Sequence, residues 1–332
     1  MLGAMMRRRT IAALGLLTAL FSFSHGGTTN LRITLRPADT TQYSAKPWRL
    51  SGDSSRVQLR LDWLYDEPGF RPPSERAKVE CAGDRIVVTV SDTSGAERIE
   101  YLSSTRGQFS FRGIAIDSVA WAVLDSADNW LRRHPVSGLE SLSGRVHYRG
   151  RDLRVSDPDY RSVSRALGAI DTLVYGDWRP AFGPRDRRST DTSRTLYLVG
   201  RQAEMSNARG ELFASAVARR FRGTRPPNAS PVPEETQPYI VDLQLSSDSF
   251  AGNPVRKLAA LTAAHFGQRL AMVLDSVVLS APMIQSEIPD GSFMVVTDDT
   301  LGFYARDLAT IFLSGPLHSP LVVERVERVR GK

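Results

Sequence analysis

The chain has 332 residues, 41% of them hydrophobic and 24% charged, which excludes a wholly disordered or fibrous polymer and supplies enough apolar material for two ordinary domains. Its formal net charge of +7 includes Arg7, Arg8 and Arg9, and the remaining basic residues are spread, most of them beside acids, rather than clustered with interleaved aromatics. A nucleic-acid groove is therefore not expected, and the most basic window, "RHPVSGLESLSGRVHYRGRDLR", reads as a solvated face.

The segment "MMRRRTIAALGLLTALFSFSHGG" joins three arginines to an apolar run over Ile11–Phe23 and then to small residues. This is the pattern of a secretory signal peptide over residues 1–26, with cleavage near Ser24 or Gly26. The run is shorter than the roughly 20 residues that cross a bilayer. An uncleaved signal holding the chain at the inner membrane is the alternative to release into the periplasm or envelope. The single cysteine, Cys81, excludes an internal disulfide and alternates with Val79, as a buried strand cysteine would. An exported chain without disulfides suits a bacterial envelope.

After the signal, Leu31, Ile33 and Leu35 alternate as a strand does. Val57, Leu61 and Leu64 then fall at i, i+4, i+7 of an amphipathic helix. "AKVECAGDRIVVTV" reads as a hairpin turning at Ala82-Gly83-Asp84. Ser94 and Glu97 form a capping box for a short helix, and "GQFSFRGI" returns as a strand. The order strand, helix, strand, strand, helix, strand predicts a ferredoxin-like βαββαβ unit over residues 27–116.

Between residues 117 and 194 the pattern weakens. Val119, Val123 and Trp130 suggest one helix and "VSDPDYRSVSRALGAIDTLV" a second. "GDWRPAFGPRDRRSTDTSR" reads as a Pro- and Arg-rich loop, so the region is taken as an insertion or connector. Residues 195–236 give a strand, "RTLYLVG", and a linker carrying Pro226, Pro227, Pro231 and Pro233. The sequon Asn228-Ala229-Ser230 within it is taken as a chance match.

Residues 237–332 carry the clearest periodicity and are expected to form a second α+β unit, with helices packed on a mixed sheet. Tyr239, Val241, Leu243 and Leu245 alternate as a strand. Asn253 caps a helix with Pro254 at its first position; Val255, Leu258, Thr262 and Phe266 share one face, and Gly267 is its left-handed stop. "RLAMVL" and "VVLSAP" form a hairpin about Asp275-Ser276 that ends at Pro282. A third strand, "SFMVVT", follows Pro289-Asp290-Gly291. Asp298 or Asp299 caps a helix whose Leu301, Tyr304, Ala305, Leu308 and Phe312 repeat the apolar stripe, Gly315-Pro316 stops it, and "LVVERVERV" closes as a strand.

Three ordered blocks carry a family resemblance. "LTAAHFGQRLAMVLDSVVLSAPMIQSEIPDG", continuing to "YARDLATIFLSGPLHSPLVVERVERV", resembles the head subdomain of the first periplasmic domain of SecD and fused SecDF, membrane proteins that assist bacterial protein export. "GDRIVVTVSDTSGAERIEYLSSTRGQFSFRGI" is similar to that family's base subdomain, and "LYLVGRQAEMSNARGELF" to the connector between them. The family has membrane helices on both sides of this domain; the expectation here is the domain without them. The family's hairpin turn usually reads Asp-Gly, so Asp275-Ser276 predicts a wider loop. "SGPLHSPL" keeps a glycine and two prolines in a shifted arrangement, and residues 117–194 have no evident counterpart.

The residues that could carry chemistry have plainer roles. Asp275 sits at a hairpin tip, where carboxylates bond turn amides. His265 stands at a helix end, where an imidazole complements the dipole. His318 lies in a Pro-rich loop, and His134 and His147 flank basic turns without metal-ligand spacing. Glu287 with Asp290, and Asp298 with Asp299, are acid pairs suited to turns and caps. Met283, Ile284, Phe293 and Met294 lie beside the hairpin and are assigned to core packing. No catalytic or metal-binding set, cofactor or nucleic-acid partner is expected, and no binding residue is assigned. The resemblance implies a non-enzymatic exported domain that holds unfolded or extended polypeptide, or docks on a Sec-type membrane component. The alternative is an envelope hydrolase or small-molecule-binding protein that reuses the scaffold and draws its site from residues 117–194.

Overall fold

The computed structural model describes residues 29–39, 48–65, 77–91, 95–136, 139–149, 152–170, 172–185, 193–207, 212–221, 237–247, 253–297 and 301–330. The signal segment, Ser94, the sequon, the prolines of the linker from Pro226 to Pro233, Asp298 and Asp299 lie outside them. The chain is mixed α+β and divides into two compact units, one running up to Arg106 and resuming at Leu317, the other spanning Gly107–Pro316.

The smaller unit contains β1 (Thr29–Pro37), α1 (Trp48–Tyr65), β2 (Lys78–Ala82), β3 (Arg85–Val90), α2 (Ala96–Ser104) and β15 (Leu321–Arg330). Its antiparallel sheet has the order β15-β1-β3-β2, the 4-1-3-2 arrangement of a ferredoxin-like fold. Alternation decides which face is covered: Leu31, Ile33 and Leu35 of β1 and Ile86, Val88 and Val90 of β3 are buried, as are Val57, Leu61 and Leu64 of α1 and Ile99 and Leu102 of α2. Two buried polar side chains of α1 hold the points where the chain leaves and rejoins this unit. Arg60, fully buried, donates to the carbonyls of Leu102, Thr105 and Arg106, the open acceptors of the last turn of α2 and of the residues that follow it. The Asp53 carboxylate, also fully buried, accepts from the His318 backbone N–H at 3.0 Å and lies 2.8 Å from its Nδ1. The Leu317 N–H donates to the Arg106 carbonyl at 2.7 Å.

The larger unit has an eight-stranded mixed sheet of β4 (Phe109–Gly113), β5 (Val146–Arg149), β6 (Asp152–Ser156), β7 (Trp178–Arg185), β8 (Ser193–Gly200), β9 (Met205–Ser206), β12 (Leu270–Leu274) and β13 (Val277–Ser280). The order is β5-β6-β8-β7-β13-β12-β4-β9, and β13 runs parallel to β7 through Val277 and Phe182. Beyond its C-terminal end β4 turns back to β8, with a bridge from Ile114 to Val199 and a bond from Ala115 N–H to Leu198 O at 2.9 Å. Strands β8, β7, β13, β12 and β4 thereby curl into a ring whose interior is packed by Ala181, Val199, Ala271, Val273 and Val278. On the outer face α3 (Asp117–Arg133) and α4 (Asp157–Ala169) bury Leu124, Leu131, Val163 and Leu167 against Leu153, Leu196 and Leu198.

A second, three-stranded sheet has the order β10-β11-β14 (Phe213–Arg220, Tyr239–Leu245, Ser292–Val296). Helices α5 (Pro254–Ala264) and α6 (Phe303–Ser314) complete the unit. Edge-to-face aromatic contacts link the two sheets through Phe109 with Phe213 and Phe111 with Phe293, and link the larger sheet to α6 through Phe109 with Phe312, at centroid distances of 5.2–5.4 Å. Such contacts contribute about 0.5–1.5 kcal/mol each beyond area burial.

The α+β class and the ferredoxin-like order agree with the sequence reading, but several strands have different partners. The closing strand of the smaller unit is β15, expected in the second unit. β4, expected to close the first unit, pairs with β12 and β9. Residues 117–194 supply three strands of the larger sheet, β5, β6 and β7, and the first residues of β8, and the expected Arg-rich loop contains β7. Odd residues of β7 bond to β8, as Arg201 N–H to Asp177 O shows, so Pro180 points its missing donor toward β13, which pairs only at Phe182. Proline is tolerated at such a position. Cys81 is exposed because β2 is an edge strand. Helix α2 starts after Gly95, whose φ is 81°, which puts Glu97 one position earlier than the capping box requires. Helix α5 ends at Ala264, leaving Phe266 67% exposed. The Asp275-Ser276 turn is tight rather than wider, because Leu274 pairs directly with Val277; the left-handed φ of 56° falls on Asp275, which tolerates it, and not on Ser276.

Candidate functional site

The strand-and-helix framework of the larger unit leaves a cleft of about 330 Å³, at the small end of the range of small-molecule sites. One wall comes from the 114–117 segment and α3, another from β5, β6 and β8, and the third from Gly267–Arg269 and Met283. The start of α3 places Asp117 and Ala120 at the cleft. The helix stripe of Ala120, Leu124, Ala127 and Leu131 is buried, which turns Trp121 outward, 47% exposed.

The polar groups of the cleft are tied to one another. Arg269 Nη1 lies 2.8 Å from Asp152 Oδ1, and its Nε donates to the Ala281 carbonyl at 3.1 Å. The same guanidinium stands 5.4 Å from the centroid of the Tyr197 ring. Burial raises the Tyr197 phenol above its ordinary range, against the opposing charge of Arg269. Desolvation, the hydrogen bond to Asp117 and the charge of that carboxylate raise the Tyr148 phenol too. Both phenols stay protonated at neutral pH and act as hydrogen-bonding groups. The lining contains no histidine, serine, cysteine or lysine.

The mouth is apolar. Ile116 is 63% exposed, Met283 43% and Tyr148 38%, and Trp121 stacks on Tyr148 at 5.6 Å. Exposed apolar groups collected at a concave site mark a contact surface.

The residues weighed from sequence are scattered. Asp275 joins the hairpin tip to the turn before β4: its carboxylate accepts from Gln108 N–H at 2.9 Å and Gly107 N–H at 3.3 Å, and its own N–H donates to Gln108 O at 2.7 Å. His265 caps α5, with Nδ1 3.0 Å from Leu261 O and Nε2 3.3 Å from Glu204. His134 stacks on Trp130, His147 is exposed on β5, and His318 is the partner of Asp53. The Asp290 carboxyl is held below its ordinary range by bonds from Ser292 and makes no pair with Glu287. Ile284 is buried and Phe293 joins the aromatic cluster, whereas Met283 and Met294 are exposed. Of all these, the cleft takes only Met283. Trp121, Tyr148 and the Asp152–Arg269 pair were missed; the outward phase of Trp121 on the α3 stripe was the available signal. No group of three metal-ligating side chains occurs among the described residues, and no helix among them is long and apolar enough to cross a membrane.

Comparison with known proteins places this geometry. Residues 204–319 match the family model described as SecDF, P1 head subdomain. The chain is 43% identical over 70 residues to the protein translocase subunit SecD of Aquifex aeolicus, and 41% identical over 91 residues to that of Mycobacterium tuberculosis. These matches cover 21% and 27% of the chain, and only 14% and 15% of the relatives. The structure described as SecDF in a super-membrane-facing form aligns over 97% of this chain and 35% of its own, with a TM-score of 0.52 and 16% sequence identity, which is a likeness of fold. In fold, and in sequence through its head segment, the chain is therefore similar to the first periplasmic domain of SecD and SecDF.

Proposed function

We propose that this chain serves protein export as a non-catalytic domain in the periplasm or envelope that holds extended or unfolded polypeptide. The cleft receives the polypeptide, and a Sec-type membrane component is the partner. The observation that carries this reading is the apolar mouth formed by Ile116, Met283, Tyr148 and Trp121 around a cleft whose Arg269 is paired with Asp152 and whose second carboxylate, Asp117, accepts from the Tyr148 phenol. Adaptable methionine and aromatic surfaces suit contact with many sequences, and a satisfied ion pair does not demand one particular ligand. The relatives' description as translocase subunits supports the same direction. Hydrolysis is disfavoured by the lining, whose one guanidinium–carboxylate pair is closed and whose phenols hold their protons.

The test is photocrosslinking with benzoylphenylalanine in place of Met283 and, as a control, in place of Val217, which is 54% exposed on β10 and does not line the cleft. The probe is a reduced, carboxymethylated model protein that cannot fold, compared with its native disulfide-bonded form. Adducts at 283 with the unfolded form alone are expected. Equal labelling at both positions, or labelling of the folded form as strongly, would remove the cleft from the function.

A further inference from the structure

A separate pair of side chains in the larger unit has no counterpart in the binding reading. Arg179 on β7 lies directly opposite Val199 on β8, and Arg112 on β4 directly opposite Ala271 on β12. Residues opposite one another in an antiparallel pair share a face, and Val199 and Ala271 both pack inside the ring of strands. Both arginines therefore project from the inner face. β4 and β7 flank β8, and the bridge from Ile114 to Val199 brings their ends to the same level.

Neither guanidinium has a carboxylate partner among the described residues. Arg112, only 8% exposed, is held by neutral acceptors: Nε donates to Ser110 Oγ at 3.1 Å, and Nη1 donates to the carbonyls of Gly200, at 2.8 Å, and Arg201. Arg179 is half-buried, and its Nε is sealed from solvent without a hydrogen-bond partner. Two like charges brought together out of water are costly unless a counter-ion joins them. Burial lowers the pKa of both groups, and the charge of Arg179 lowers that of Arg112 further.

We infer that Arg112 and Arg179 form a binding site for a phosphate-type dianion, with Arg112 as the fixed donor and Arg179 as the arm that closes on the ligand. A dianion balances both positive charges; Arg112, with Nε and Nη1 engaged, offers Nη2, and Arg179 offers its fork to the oxygens in pairs. Free phosphate and a phosphate ester, such as a lipid headgroup, present the same chemistry. The cleft is not required for this site.

The test uses the full chain in chloride buffer at constant ionic strength, titrated with inorganic phosphate or with glycerol phosphate, following thermal unfolding. The wild type is expected to gain about 2–4 °C in midpoint, with saturation. Arg179→Gln is expected to show no such gain and, without phosphate, to unfold at or above the wild-type midpoint because the repulsion is gone. Stabilisation by inorganic phosphate alone assigns a free anion, and by glycerol phosphate alone an ester; either result, or both, supports the site. No shift with either compound, an equal shift in Arg179→Gln, or a variant less stable than wild type in chloride overturns the inference. Arg112→Gln is not the test variant, because it also breaks the carbonyl bonds at Gly200 and Arg201.

Discussion

Replacing Asp275 separates two contributions at the hairpin tip. Its carboxylate accepts from Gln108 and Gly107, and its backbone has a φ of 56°. A hydrogen bond to a charged acceptor contributes about 1.5 kcal/mol net at good geometry, and the 3.3 Å contact about a third of that. An alanine held left-handed costs about 1 kcal/mol more than an aspartate. Asp275→Ala should therefore destabilise the larger unit by about 3 kcal/mol. Asp275→Gly, which removes the acceptor and relieves the backbone, should cost about 2 kcal/mol, and Asp275→Asn, which keeps one acceptor and tolerates the conformation, about 1 kcal/mol. Urea unfolding midpoints at constant slope give the three values, and amide hydrogen exchange at residues 107 and 108 should accelerate in the Ala and Gly variants. Three equal losses, or unchanged exchange at those amides, would refute the assignment of Asp275 as the clasp between the hairpin and β4.

Arg60→Met should destabilise the smaller unit by about 3 kcal/mol in urea unfolding, because the carbonyls of Leu102, Thr105 and Arg106 lose a buried charged donor. Gly302→Ala should cost about 2–3 kcal/mol, since its Cβ would stand 2.7 Å from Tyr239 Cε1 at a φ of 86°. Gly83→Ala, with a φ of 65° and nothing within 4 Å, should cost only about 1 kcal/mol in the same assay. Glu100 has its pKa raised by burial first and then by the charge of Glu97. Its ionised form thus opposes folding at neutral pH, and the penalty disappears as pH falls through the folded and then the unfolded pKa. Glu100→Gln should be more stable than wild type at pH 7, with the difference vanishing in acid; unfolding curves across that range would show it.

The secondary structure was legible where a segment buries one face. Leu31, Ile33 and Leu35 alternate because β1 lies between helices and solvent, and Asn253-Pro254 marks the start of α5 through its side-chain bond to Arg256 N–H. Pairing was less legible, because periodicity reports a face and not a neighbour. "FSFRG" joins the first unit by chain order alone, although it is buried on both faces, unlike the alternating β1 and β3. That two-sided burial belongs to the interior of the larger unit. β7 was hidden by Pro180, which becomes acceptable only once its unpaired side is known. The cleft draws on Asp117, Tyr148, Asp152, Arg269 and Met283, which no local motif connects, and its ion pair joins Asp152 to Arg269 across 117 residues of chain. The arginine pair was equally silent, since Arg112 and Arg179 meet only through the return of β4 to β8.

The course of the backbone has a consequence for biogenesis. The larger unit is one uninterrupted stretch, whereas β1 must wait for β15, whose pairing with it runs from Thr29 with Arg330 to Pro37 with Leu321. During synthesis the uninterrupted unit can mature while the sheet of the other unit still has a bare flank. Any nascent chain halted before Leu321 would display that flank to other strands, a risk for misassembly. The final ten residues of the sheet thus act as the seal on the first ones made.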